Sequence, residues 1–171
     1  LHLALPLGIS FYTFQSIGYL IDVYREKFEP ERNPAKYALF VSFFPQLIQG
    51  PISFYDQLAH QLYAERNFSY KNLKHGTLLM LWGYFKKMVI ADRAVSLIQM
   101  VAPDYMQYNG TVIFITVLVY ALQLYADFSG GIDISRGFAE ILGIEMAENF
   151  CRPYFAVSIN DYWRRWHITL G

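Results

Sequence analysis

Three stretches of the chain carry no Asp, Glu, Lys or Arg: residues 1–21, 37–55 and 105–126. The hydrocarbon core of a bilayer is about 30 Å thick and takes roughly 20 apolar residues in helix, so each stretch is long enough to cross. The third is the most uniform. From Thr111 to Ala126 it is mostly Val, Ile, Leu, Phe and Tyr, and a run of that length without turn signals predicts a spanning helix rather than strands. The first two are interrupted by Pro6, Gly8, Pro45, Gly50 and Pro51 and hold Gln15, Gln46 and Gln49. Proline and amide groups at membrane depth persist only where protein or water satisfies the freed backbone. Two readings of these stretches stand side by side: a kinked spanning helix, or a broken, re-entrant segment lining a cavity.

The polar stretches divide these runs. Residues 22–36 hold four acids and four bases and read as a solvated loop, and the equal count gives no orientation bias. Asn33 before Pro34 predicts a helix start. Residues 56–75 are polar, with anchors at Leu58, Leu62, Tyr63, Phe68 and Leu73, and predict an interfacial helix followed by a turn. Ser69 is placed to cap a helix reaching about Val101, with Leu73, Thr77, Met80, Leu81, Tyr84 and Met88 at helical spacing. A tilted or half-buried helix would let Lys86 and Lys87 on it snorkel toward headgroups. Pro103 and Asn109-Gly110 mark the turn before the third run. Gly8, Gly18 and Gly76 suit close helix packing. With no internal repeat or flexible linker, the fold expected is all-α: a polytopic helical membrane protein with broken or re-entrant and interfacial helices.

Composition narrows the classes. Of 171 residues, 54% are apolar, 18% aromatic and 16% charged, against about 25% charged in soluble domains. That excludes a disordered chain. Fourteen Lys and Arg balance fourteen Asp and Glu, so there is no basic excess for nucleic acid and none is expected as a partner. A single cysteine, Cys151, excludes an internal disulfide framework and a Cys-rich zinc site. The chain starts at Leu1 inside an apolar run and ends at Gly171 just after a dense polar and aromatic cluster, and it is read as a fragment.

Polar groups near the apolar runs are the candidates for chemistry, because an acid at membrane depth is costly unless paired or facing water. Asp133, Arg136 and Glu140 stand three and four apart and predict an ion-pair ladder along one helix face. Asp127, Ser129 and a flexible Gly130-Gly131 turn either line a cavity or serve structure alone. Near the C-terminus, Ser158-Ile-Asn-Asp161 fits a capping box and starts a helix near Ile159. Continued, that helix puts Asp161 beside Arg165 and Asn160 beside Arg164. His167 then has Trp163 one turn back and Arg164 beside it. An imidazole can move a proton near neutral pH, and arginines offer planar donors to an anion. The plain alternative is an interfacial helix anchored by Trp and Arg. His2, His60 and His75 have no carboxylate at metal-ligand spacing, and no metal site is expected.

Six segments in order resemble the signatures of the membrane-bound O-acyltransferase family. They are Leu5-Pro-Leu-Gly-Ile-Ser-Phe-Tyr-Thr-Phe-Gln15 with Asp22-Val-Tyr-Arg25, Phe44-Pro-Gln-Leu-Ile-Gln-Gly-Pro51, Phe85-Lys-Lys-Met-Val-Ile-Ala-Asp92, Asp127-Phe-Ser-Gly130, Glu148-Asn-Phe-Cys-Arg-Pro-Tyr154 and Trp163-Arg-Arg-Trp-His-Ile-Thr-Leu170. Within the family the pattern is most similar to the bacterial branch of alginate O-acetyltransferases and D-alanyl–teichoic acid transfer proteins. Residues 1–171 are accordingly read as one partial domain of this family, truncated at both ends.

The resemblance implies a helical enzyme of the bacterial inner membrane, with a funnel to a buried site, that moves an acyl group from a thioester onto a hydroxyl of a cell-envelope polymer. The donor it implies is acetyl-CoA or an acyl carrier protein, taken as substrate, with no bound cofactor, and the partners are that carrier, downstream envelope transferases and membrane lipid. His167 matches the first of two functional histidines. The second, in a later Trp-His-Gly segment, activates the acceptor, so these residues alone are expected to be inert. By the same resemblance Arg164 and Arg165 hold the motif or bind an anionic group, and Asn160, Asp127 and Ser129 line the path. Two other classes remain: a transporter whose polar pathway is Asp127, Asp133 and Arg136, and a non-catalytic scaffold that recruits an acyl-carrying partner.

Overall fold

A computed structural model describes residues 8–170, the side chain of Ile48 excepted. Leu1 to Leu7, and with them His2, Pro6 and the start of the first motif, lie outside the described residues. The regular elements among the described residues are all helices, the only β feature there being an isolated antiparallel bridge between Phe150 and Trp166.

Two long antiparallel rods form the frame. One is helical without a break from Tyr70 to Val101: α5 (Tyr70–Tyr84), a π-helical segment (Phe85–Ala91) and α6 (Asp92–Val101). The other is α7 (Gly110–Ile141). Local chemistry starts both: Ser69 Oγ accepts from the Asn72 N–H, and Asn109 Oδ1 accepts from the Val112 N–H at 3.0 Å. The rods close on a seam of glycines. A Cβ at Gly76 would overlap the Gly137 carbonyl, and one at Gly83 would overlap that of Gly130. Without side chains there, the two backbones approach to contact, as small residues allow between membrane helices. Gly76 thus packs as expected. Gly18 faces open space instead, and Gly8, in a left-handed conformation (φ 78°), starts a helix against Leu47.

Of the three apolar runs, the third gives the one helix among the described residues that is long and apolar enough to cross a membrane, Gly110–Ile141. At 1.5 Å per residue it extends about 48 Å, well beyond a hydrocarbon core. It changes character along its length. Phe114, Ile115, Val117, Leu118 and Leu122 are exposed, whereas Ala126, Ser129, Ile132, Ser135 and Ala139 are buried against neighbours. The helix does not turn at Gly130-Gly131, contrary to expectation, because both glycines are wedged within it, against Gly83 and Gln49 respectively.

The second run is not a kinked spanning helix. It breaks into α2 (Pro34–Val41) and α3 (Phe44–Gln49). Asn33 caps α2 as predicted, accepting from Ala35 and Lys36. At the other end of α2 the buried Gln46 amide donates to the Phe40 carbonyl at 3.1 Å, so the break is satisfied from within the protein. The described part of the first run lies in α1 (Ile9–Tyr24). The interfacial segment gives α4 (Tyr55–Tyr63), which buries Leu58 with Phe40, Phe43, Ala139, Ile144 and Met146 in the main apolar cluster. A short α8 (Ile159–Trp163) follows near the end.

Candidate functional site

The segment after α7 doubles back on itself. Residues 149–151 run antiparallel to 165–169: the Cys151 N–H donates to the Arg165 carbonyl (2.9 Å), the Ile168 N–H to the Asn149 carbonyl (3.1 Å) and the Thr169 N–H to Asn149 Oδ1 (2.8 Å). Aromatic rings seal this clip against α7. Phe150 meets Trp166 edge-on at 4.9 Å, Phe128 lies edge-on to Phe150 at 5.2 Å, and Tyr125 touches Phe150, Tyr154 and Trp166. The Ile52 N–H donates to Thr169 Oγ1 at 3.3 Å, which brings the loop after α3 to the same place.

His167 stands at the bend of the clip in a left-handed conformation (φ 50°), which non-glycine residues seldom adopt. Its ring packs edge-on against Phe128 at 4.9 Å. Nδ1 is buried and has no hydrogen-bond partner among the described residues. Burial pushes the imidazole below its ordinary value of 6.5, with a backbone hydrogen bond acting weakly the other way, so the ring is neutral near pH 7.

The helix expected to carry this cluster is shorter than the motif. Ser158 Oγ accepts from the Asp161 N–H at 3.1 Å, and Asp161 Oδ2 accepts from the Val157 N–H, one residue earlier than a capping box requires. The helix then stops at Trp163, and Trp166 stacks on Tyr162 at 5.7 Å. His167 therefore packs on Phe128 and does not lie on a continuation of this helix. The Asp161–Arg165 pair does form, at 2.8 Å, and Arg165 holds the Asp161 carboxyl below its usual range. Arg164 and Asn160 are exposed, joined by the Arg164 N–H donating to the Asn160 carbonyl.

Asp127 and Ser129 flank Phe128 but serve different lysines. Lys87 pairs with Asp127 at 2.5 Å, and Lys86, itself buried, donates to Ser129 at 2.9 Å and pairs with Asp133 at 2.7 Å. Both lysines thus bond side chains of α7. The wider π-helical turn over Phe85–Ala91 presents two consecutive lysines to α7, a local device common at functional sites. The expected ladder along α7 is also rearranged. Arg136 reaches Asp133 at 3.9 Å and Glu148 at 3.2 Å, while Glu140 bonds His75 at 2.7 Å. Partners from neighbouring elements replace the one offered within the helix.

A cavity of about 270 Å³ lies between the rods and the clip, lined among others by Lys86, Ser129, Asp133, Arg136 and Asn149. Of the two alternatives left open for Ser129, the structure shows it lining this cavity, and Asp127, turned to Lys87, does not line it. The sequence reasoning singled out neither Asn149 nor Phe128. Each sits inside a recognised motif, but only the folded-back clip brings them to His167.

The family profile of membrane-bound O-acyltransferases matches residues 31–170. The chain is 38% identical to a peptidoglycan O-acetyltransferase of Helicobacter pylori, with 100% of this chain and 37% of that protein covered. It is 40% identical to a probable alginate O-acetylase of Pseudomonas syringae, covering 99% and 32%. A teichoic acid D-alanyltransferase of Bacillus subtilis is 28% identical over 96% of this chain and 42% of that protein. The chain spans about a third of the length of the first two. With the profile covering the rods, the broken helices and the clip together, the chain belongs to the membrane-bound O-acyltransferase family.

Proposed function

We propose that the full-length protein transfers an acyl group, acetyl in the first instance, from a thioester to a hydroxyl of a cell-envelope polysaccharide or related polymer. The relatives' names supply the class: two O-acetylate and one transfers D-alanine. The observation that carries the reading is the seat of His167, a half-buried, neutral imidazole held at a strained bend inside the segment that the family profile matches.

The chemistry needs a base that is unprotonated at working pH. As the acceptor oxygen attacks the thioester carbonyl, its proton passes to an imidazole. The new C–O bond forms, the C–S bond breaks, and the proton goes to the departing thiolate. A second histidine from the remainder of the protein is the residue that activates the acceptor, and His167 assists by holding or relaying that proton. Arg165 stays engaged with Asp161 and braces the motif, whereas the exposed Arg164, with Asn160 beside it, is available to an anionic group of donor or acceptor. Ser129 lines the approach from the α7 side. Asp127, bonded to Lys87, secures that wall.

The donor in this reading is acetyl-CoA or an acyl carrier protein. The setting is the bacterial inner membrane, crossed several times by the whole protein, of which residues 1–171 form part of one domain. Downstream envelope transferases are the further partners. The competing transport reading depends on Asp127, Asp133 and Arg136 as a polar pathway, and all three are engaged in ion pairs.

The direct test supplies radiolabelled acetyl-CoA to membranes carrying the full-length protein and follows label into envelope polymer. The expected product is an ester released by mild alkali. Substrate flux with no acylated product supports transport instead, and binding of an acyl carrier without turnover supports a scaffold.

A further inference from the structure

We infer that Asn149 is a positioning residue for His167: one buried amide holds the backbone that follows the histidine and so sets where the imidazole points. The inference rests on the reading of His167 as a proton-handling group in the proposed acyl transfer.

The geometry is specific. Ile168 and Thr169, the two residues after His167, each present an N–H, and both are accepted by Asn149, one by its backbone carbonyl at 3.1 Å and the other by its side-chain oxygen at 2.8 Å. The bond from the Cys151 N–H to the Arg165 carbonyl, at 2.9 Å, fixes the approach side of the same bend. His167 lies between these anchors at φ 50°. A residue in that region relaxes toward the ordinary helical or extended basins unless its neighbours are held, and relaxation would swing the ring away from Phe128. The side-chain half of the hold depends on one atom, Asn149 Oδ1. A residue that supplied only a backbone carbonyl would leave the Thr169 N–H without it.

Three further facts favour this role over simple packing. Asn149 is 1% exposed, and an amide buried so fully persists where its bonds are needed. Its Nδ2 is buried with no acceptor among the described residues, so the bonds that fix the amide are those of its oxygen. Asn149 also lines the cavity that holds Lys86, Ser129 and Asp133, so the clip and the cavity wall share one residue. A ligand in that cavity and the imidazole at the bend would therefore bear on the same side chain.

The test compares Asn149→Leu and Asn149→Asp in the full-length protein in its native membranes. Leucine has nearly the same shape and removes the acceptor, while aspartate retains it. Two quantities are read: acyl transfer, and the rate at which diethylpyrocarbonate modifies His167, mapped by mass spectrometry with the exposed His60 as internal reference. In Asn149→Leu, transfer falls about tenfold or more and His167 modification accelerates relative to His60. Asn149→Asp restores both toward wild type. A general packing defect would not separate the two variants. An unchanged modification rate in Asn149→Leu, or an Asn149→Asp protein indistinguishable from it, overturns the inference. If Asn149→Leu does not accumulate, Asn149→Ser, too short to reach Thr169, takes its place. The modification arm needs no turnover. A wild-type protein that transfers nothing therefore counts against the proposed function, while the Asn149 comparison still decides the positioning role.

Discussion

Residues that act on their immediate neighbours were legible in the sequence. Asn33, Ser69 and Ser158 each accept a backbone N–H two or three residues on, as their positions ahead of helical patterns predict, and Asn109, legible only as part of a turn, does the same. Partners distant in sequence were not. Lys86 meets Asp133, Lys87 meets Asp127 and His75 meets Glu140, pairs that come together only once the rods lie antiparallel. Sequence spacing offered Arg136 to Glu140 at four residues, but the better-placed Glu148 took the guanidinium. Helical spacing continued past Trp163 misplaces the surroundings of His167, because the helix ends there and the ring packs on Phe128. The prediction at this scale concerns pH. Burial lowers the imidazole below 6.5, so it stays neutral at pH values where a free histidine has begun to charge. If His167 must be neutral, the acidic limb of the full-length protein's rate profile has its midpoint below 6.5. The sign for stability follows from linkage. Below about 6.5 the unfolded chain takes up the proton more readily than the folded one. The contribution of neutral His167 is therefore whole above that pH and is lost as pH falls through the folded value. A limb centred at or above 6.5 would exclude His167 as the controlling group.

Among the helices, the apolar first half of α7 and the rod from Ser69 to Val101 were readable from apolar content, spacing and the Ser69 cap, while the continuation of α7 through Gly130-Gly131 and the π-helical segment were not. Nothing in Phe85-Lys-Lys-Met-Val-Ile-Ala91 marks a wider turn by periodicity, and its reason lies across the interface, where two acids and a serine wait on α7. The broken second run was half legible. Its prolines and glutamines announced trouble for a straight span, but only the Gln46 bond to the Phe40 carbonyl shows how the break is accommodated. The glycine seam gives the prediction for elements. In Gly83→Val the new side chain meets the Gly130 carbonyl and Ile134, so the rods must part. Overpacking of this kind costs about 1–3 kcal/mol, and the thermal midpoint of the solubilised full-length protein should drop by several degrees. Gly18→Ala, where the structure is open, should be neutral or slightly stabilising, since alanine is the better helix former by about 1 kcal/mol. Equal midpoints for Gly83→Val and wild type would mean that the close approach of α5 and α7 is not needed.

For the whole molecule, the motif order was the strongest signal in the sequence, and the profile match over residues 31–170 bears out the family. The structure adds how the motifs cooperate. The Phe44–Pro51 segment ends in a loop whose Ile52 N–H bonds Thr169, the lysines of the third motif hold the α7 motif, and Asn149 and Phe150 of the fifth hold Ile168, Thr169 and Trp166 of the sixth. Motifs more than a hundred residues apart in sequence thus converge on one bend. Long-range convergence of this kind cannot be read from spacing, which is why the sequence ranked the residues but not their contacts. The central claim is that this bend serves acyl transfer. Its most direct test is His167→Ala in the full-length protein, with transfer of labelled acetyl to envelope polymer measured beside the amount of protein in the membrane. The account predicts a fall of about 100-fold or more, the range for losing a proton-transfer group, at unchanged accumulation. Wild-type transfer by the variant would contradict it and remove His167 from the site.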